Sequence, residues 1–296
     1  MDMNEELSRY LRNMESSLLQ VVDDDFIQEH KHLTKKYTDA DINEMFRLCL
    51  ISPGGKSWSP VWQVLLLLYQ AAFSESYTTE PDRFMTLGNY IIHKLPKGSK
   101  PVIYSFGIGS NITFDQAAAD LFDVPIHMYD PTPGVAGFME QFKDDPRLIF
   151  TQEGVYTEET EIKLFTSNIP GKLNSSLYPI HGKDGDYVMV RCRPLEAFVA
   201  ANGHDHIDIL KMDVEGVADD VLLHMLDKTD IRPKQIVAEF EVKQIENPIT
   251  YLPKLITLMC KLKDNGYRIY NQLLTRKASI ELIIVHQSLY DAYSDK

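Results

Sequence analysis

The chain has 296 residues, enough to bury a sizeable core in one large domain or in one domain with an extension. Its composition is that of an ordinary globular protein, 44% apolar and 25% charged, and a formal net charge of −13 with no basic run argues against nucleic acid as a partner. The longest apolar run, Val61 to Tyr69, is broken by Gln63 and too short for a bilayer. The three cysteines (Cys49, Cys192, Cys260) lack metal-ligand spacing, and the polar N-terminus has no signal-peptide pattern. Together these give a reduced, cytoplasmic setting as the expectation.

Residues 1–97 read as a helical N-terminal domain or lid. Leu7, Leu11, Met14 and Leu18 recur at helical spacing, Thr38 caps a second helix, and Pro60 opens an apolar helix through Trp62 and Leu65–Leu68. The spacing predicts a last helix over 81–95, ended by Pro96-Lys97-Gly98, the expected domain boundary. From residue 98 strands alternate with helices. Strands are expected at Val102–Phe106, Ile126–Tyr129, Leu148–Thr151, Ile207–Lys211 and Gln235–Glu239. Residues 161–191 read as a β-hairpin insertion. Tyr267–Tyr270 and Glu281–Val285 are joined too closely for a crossover helix, so they form an antiparallel pair. The expected fold is an open, doubly wound α/β sheet, Rossmann-like, with an antiparallel last strand and an N-terminal helical extension.

In such sheets ligands sit beyond the carboxyl ends of the strands, at the switch point. The first strand ends in Gly107-Ile108-Gly109-Ser110-Asn111, a tight turn that leads into a helix at Asp115. Glycine allows the turn, and the helix N-terminus adds partial positive charge. The second strand ends at Asp130-Pro131, where a carboxylate can accept both hydroxyls of a ribose. A dinucleotide site would want a third glycine where Ile112 stands, and the antiparallel final strand does not repeat a mononucleotide half. S-adenosylmethionine (SAM), which has no pyrophosphate, fits better. A nicotinamide oxidoreductase ranks last among the readings.

These residues resemble a known family. Tyr104-Ser-Phe-Gly-Ile-Gly-Ser110, Asp130-Pro-Thr-Pro133 and Ile209-Leu-Lys-Met-Asp-Val-Glu-Gly216 are similar to the FkbM-type methyltransferases, a branch of the class I SAM-dependent enzymes, over residues 100–290. One departure is Val217-Ala218-Asp219, where the family commonly has Ala-Glu after the glycine. The resemblance implies a seven-stranded SAM fold. It also implies the glycine turn near the methionine part, Asp130 on the ribose and Gly154-Val155 beside the adenine. Methyl transfer to oxygen is the implied activity.

For the reaction, Asp213 and Glu239 end neighbouring strands, where they could hold a divalent ion such as Mg²⁺ or act as general base; Asp213 could instead bind the SAM amino group. Lys211 could bind an acceptor carboxylate or pair with Asp213. The leading expectation is O-methylation of a small-molecule hydroxyl. The alternatives are methyl-ester formation on a carboxylate, or an inactive SAM-fold scaffold that dimerises through its N-terminal helices.

Overall fold

The computed structural model describes residues 74–166, 175–176, 187–214, 216–241, 248–271 and 279–294. The chain divides into two compact units, Met1–Ser74 with Ile245–Ile256, and Glu75–Gln244 with Thr257–Lys296. The helices expected before residue 74, and the dimer interface expected on them, lie outside the described residues.

The second unit opens with β1 (Glu75–Ser76), β2 (Phe84–Leu87) and β3 (Tyr90–His93). Then follow β4 (Ile103–Phe106), α1 (Thr113–Phe122), β5 (Ile126–Tyr129), α2 (Pro133–Met139) and β6 (Leu148–Thr151). After these come β7 (Gly154–Val155), β8 (Thr160–Thr166), β9 (Ser175–Ser176), β10 (Tyr187–Arg193) and α3 (Leu195–Ala201). The chain closes with β11 (Ile209–Met212), α4 (Ala218–Lys228), β12 (Gln235–Glu241), α5 (Pro248–Asp264, begun in the first unit), β13 (Tyr267–Asn271), β14 (Ser279–His286) and α6 (Gln287–Ser294).

Eight strands form the main sheet in the order β1-β13-β14-β12-β11-β4-β5-β6. The run from β12 to β6 is parallel, and β14 is antiparallel to both β12 and β13. This is the doubly wound α/β architecture with seven principal strands; the eighth, β1, adds two residues beside β13. All four residues of β4 are buried, as a central parallel strand requires when both faces are covered. On one face Ile103, Ile126 and Met128 pack with Phe114, Ala118 and Ala119 of α1. On the other, Phe106 and Tyr129 meet Phe198 of α3 at ring-centroid distances of 5.3 and 4.5 Å.

Residues 81–95 depart from the expected helix. A single 3-10 turn (Pro81–Arg83) leads into the antiparallel pair β2–β3, with Leu87 opposite Tyr90. The loop is the two-residue Gly88-Asn89, and Gly88 has φ +60°, the requirement of a II′ hairpin turn. The apolar residues here satisfy helical spacing and strand alternation alike, so the turn decides between them. The C-terminal helix α6 was also not anticipated. It buries Leu289 against Phe84, Tyr270 and Ile283, while Tyr290 lies between the guanidinium groups of Arg83 (3.9 Å) and Arg268 (3.6 Å). Among the described residues no helix is long and apolar enough to cross a membrane.

Candidate functional site

The carboxyl ends of β4, β5 and β11 open into a cleft lined by Gly107, Asp130, Pro131, Gly154, Val155 and Asp213. Ile162, Leu164 and Cys192, from the inner face of the β8–β10 sheet, complete an apolar wall. Burial pushes the Cys192 thiol up to about 12, so it stays a neutral part of that wall.

The glycine turn is dictated by contact. Gly107 has φ +77°, and a Cβ on it would lie 1.7 Å from the Asp213 carbonyl oxygen. Only glycine lets the end of β4 run against the end of β11, where the Asp213 N–H donates to Phe106 O at 3.0 Å. Lys211 secures the turn from below: it is buried, and its Nζ donates to Gly107 O at 2.5 Å. The same charge partly offsets burial, which raises the Asp115 carboxyl above its ordinary range. Lys211 was expected to meet an acceptor or pair with Asp213. Its ammonium instead meets the loop carbonyl, in the neighbourhood of Asp115 and the Tyr90 ring.

Asp130 is held by the loop itself. Its Oδ2 accepts the N–H groups of Ile108 and Gly109, both at 2.9 Å, and its Oδ1 accepts the Thr132 N–H at 2.8 Å. A carboxylate offers about four lone-pair sites. Three are occupied, so the expected acceptance of two ribose hydroxyls becomes room for one in this arrangement. Ser110 and Asn111 are exposed. Asn111 Oδ1 is engaged in starting α1, accepting the Thr113 N–H at 3.1 Å and its hydroxyl at 2.8 Å. Gly154 packs tightly, since a Cβ there would come within 2.7 Å of Cys192 Sγ and 3.2 Å of Pro131 Cγ.

Asp213 meets a residue that sequence reasoning missed. The hydroxyl of Tyr90, from β3, donates to Asp213 Oδ2 at 3.0 Å. Only the Gly88-Asn89 turn signalled the hairpin that brings it there. Glu239 stands in β12 opposite Glu281 of β14. The charges of Asp213, Glu239 and Glu281 all bear on Tyr90.

The metal expectation does not fit these residues. Among the described residues no group of three or more His, Cys, Asp or Glu side chains gathers for an ion, whereas Mg²⁺ wants six oxygen donors in near-ideal geometry. One oxygen of Asp213 already accepts a hydrogen bond from the Tyr90 hydroxyl. His204 and His206 also do separate work. His204 Nδ1 meets the Tyr104 hydroxyl at 2.8 Å, and His206 lies against Asp205 and Asp208. Glu215 lies outside the described residues.

The Methyltransferase FkbM domain model matches residues 99–269, more than half of the chain. The chain belongs to the FkbM methyltransferase family. This agrees with the resemblance carried by its glycine turn, Asp130-Pro131 and Leu210-Lys211-Met212-Asp213. Among solved structures it is similar to a precorrin-6y C5,15-methyltransferase from Geobacter metallireducens, with 12% identity, a TM-score of 0.35, and coverage of 65% of this chain and 84% of that one. No curated protein sequence matches it. For this FkbM-family chain the implied methyl donor is SAM.

Proposed function

We propose that this FkbM-family protein transfers the methyl group of SAM to a hydroxyl oxygen of a small molecule. One observation carries the reading: the glycine turn, the Asp130 carboxylate and the Asp213 carboxylate line a single cleft, beside the apolar wall of Gly154, Val155, Ile162 and Leu164. In this reading Asp130 accepts one ribose hydroxyl, the apolar wall takes the adenine, and the glycine turn lies along the methionine part. SAM supplies an electrophilic methyl group on a sulfonium, so the protein's task is to place the acceptor in line and remove its proton. Asp213 suits the cofactor's ammonium by charge, and Glu239, on the neighbouring strand, is the proposed proton acceptor.

A hydroxyl acceptor is favoured over a carboxylate by the charges on the cleft. Its described lining carries two carboxylates and no cation, and Lys211 is committed to Gly107. An anionic acceptor would meet repulsion there.

Titration calorimetry with SAM and S-adenosylhomocysteine tests the cofactor. Both should bind the wild type, and Asp130→Ala should weaken each by about tenfold or more, the effect of losing a charged hydrogen-bond acceptor. Affinity unchanged by that substitution would remove the ribose assignment. Labelled-methyl transfer to panels of alcohols, phenols and carboxylic acids, with and without EDTA, tests the acceptor. Label on carboxylic acids alone would replace the hydroxyl reading with ester formation.

A further inference from the structure

Tyr90 stands on an element built to fix it. The turn beneath it has no slack: a Cβ on Gly88 would lie 2.4 Å from Phe114 N and 2.5 Å from the Thr113 carbonyl. Asn89 Oδ1 lies 3.0 Å from the Thr113 hydroxyl, whose one proton it shares with Asn111 Oδ1. The hairpin is thus docked, backbone to backbone, on the first turn of α1, the helix that follows the glycine loop. The Tyr90 ring is itself buried and meets Phe114 edge-on, with centroids 5.7 Å apart, and the Lys211 ammonium lies 5.5 Å from its centre.

The hydroxyl at the tip of this ring reaches Asp213 Oδ2, and Asp213 Oδ1 has no hydrogen-bond partner among the described residues. An aspartate at a strand end has two torsions to choose from. A buried phenol that takes one oxygen selects one orientation and leaves the other oxygen presented to the cleft. Burial, and then the charge of Asp213, push the phenol far above its ordinary range, so it remains a donor throughout the pH range of the folded protein.

We propose that Tyr90 is a positioning residue for the cofactor: it holds Asp213 with one carboxylate oxygen aimed at the ammonium of the methionine part. The inference rests on the SAM reading above. It gives the β2–β3 hairpin a function: a turn locked on α1 sets the glycine loop and the Asp213 carboxylate in one frame.

The test is a double-mutant cycle read by calorimetry with two probes. SAM carries the ammonium; 5′-methylthioadenosine has the same nucleoside and no amino-acid part. Tyr90→Phe keeps the ring and removes the hydroxyl. It should weaken SAM about tenfold, as loss of a hydrogen bond to a charged group does, and leave 5′-methylthioadenosine within about twofold. On the Asp213→Asn background, Tyr90→Phe should add nothing, because residues acting through one contact are not additive. Thermal melts of the free variants accompany each titration. Equal weakening of both probes, additive losses, or a Tyr90→Phe protein that binds SAM like wild type would each overturn the proposal while leaving the methyltransferase reading standing. A wild type that binds neither probe would overturn that reading, and this inference with it.

Discussion

Two hairpins serve the same cleft, one by lining it with Ile162, Leu164 and Cys192 and the other through the Tyr90 bond to Asp213, and they are held in different ways. The β2–β3 hairpin turns on two residues, buries Phe84, Leu87, Tyr90, Ile92 and His93, and presses its turn against the backbone of Thr113 and Phe114. The β8–β10 hairpin offers one apolar face, with Leu164, Val190 and Cys192 inside, and leaves Tyr187 and Met189 about half exposed. Its outer face is held by Lys163 over the Tyr187 ring and by Arg191 against Glu153 and Glu159. Contacts of that kind are weak and replaceable. The first hairpin fixes one atom, the Tyr90 hydroxyl; the second supplies a wall. Backbone contact suits the former task, and a surface of interchangeable apolar side chains suits the latter.

The contrast is broken most forcefully at Gly88. Gly88→Ala places a methyl group inside the start of α1 and asks an L-residue to hold φ +60°. The expected loss is about 3 kcal/mol, combining overpacking with left-handed strain, and thermal melts should show a drop of about 10 °C. A melting temperature within a degree of wild type would mean that the turn is not locked.

Acid should find the first hairpin next. Burial lowers the His93 pKa from 6.5 to about 4, outweighing the hydrogen bond to the Lys94 carbonyl, which acts in the opposite direction; Arg83 lowers it further and Glu80 raises it. A histidine with a depressed folded pKa binds its proton more readily once unfolded. Its contribution to stability is therefore complete above about pH 6.5 and lost as pH falls toward 4, about 3 kcal/mol in all. Melts across this range should show the decline, and His93→Phe should lessen it, leaving the part owed to His127, which burial also lowers to about 4. The described strands of the second hairpin carry no histidine, so hydrogen exchange in β8 and β10 should change less on acidification than in β2 and β3.

The smallest effect is expected on the outer face of that wall. Met189→Lys should alter stability by no more than about 0.5 kcal/mol, as surface substitutions do, and leave SAM affinity unchanged. A larger loss would show that the exposed face is engaged by something else.

The same contrast marks what could be read from the amino-acid order. Gly107 and Asp130 announced themselves: each ends an apolar run, and a glycine turn after a strand has few physical uses. The β8–β10 pairing was visible in Ile162–Phe165 and Tyr187–Val190. The β2–β3 hairpin was not, because Phe84, Leu87 and Ile91 repeat at helical spacing and each strand is only four residues long, too short for its alternation to stand out. Tyr90 could not be assigned at all, since its partner lies 123 residues away. Lys211 invites a task in the cleft because its position beside Asp213 is visible, while the Gly107 carbonyl that takes its ammonium lies 104 residues away. The helix α6 leaves little trace in the sequence because it keeps so little apolar surface inside: Leu289 is its one buried hydrophobic residue among those described.

The three amide protons gathered on Asp130 carry one more consequence. That side chain is already frozen before any sugar arrives, so docking a hydroxyl on its remaining lone pair forfeits no rotamer freedom. The entropy of arranging the grip was surrendered when the chain folded. A longer acid at the same place, such as Asp130→Glu, would have to give up the loop amides in order to reach outward.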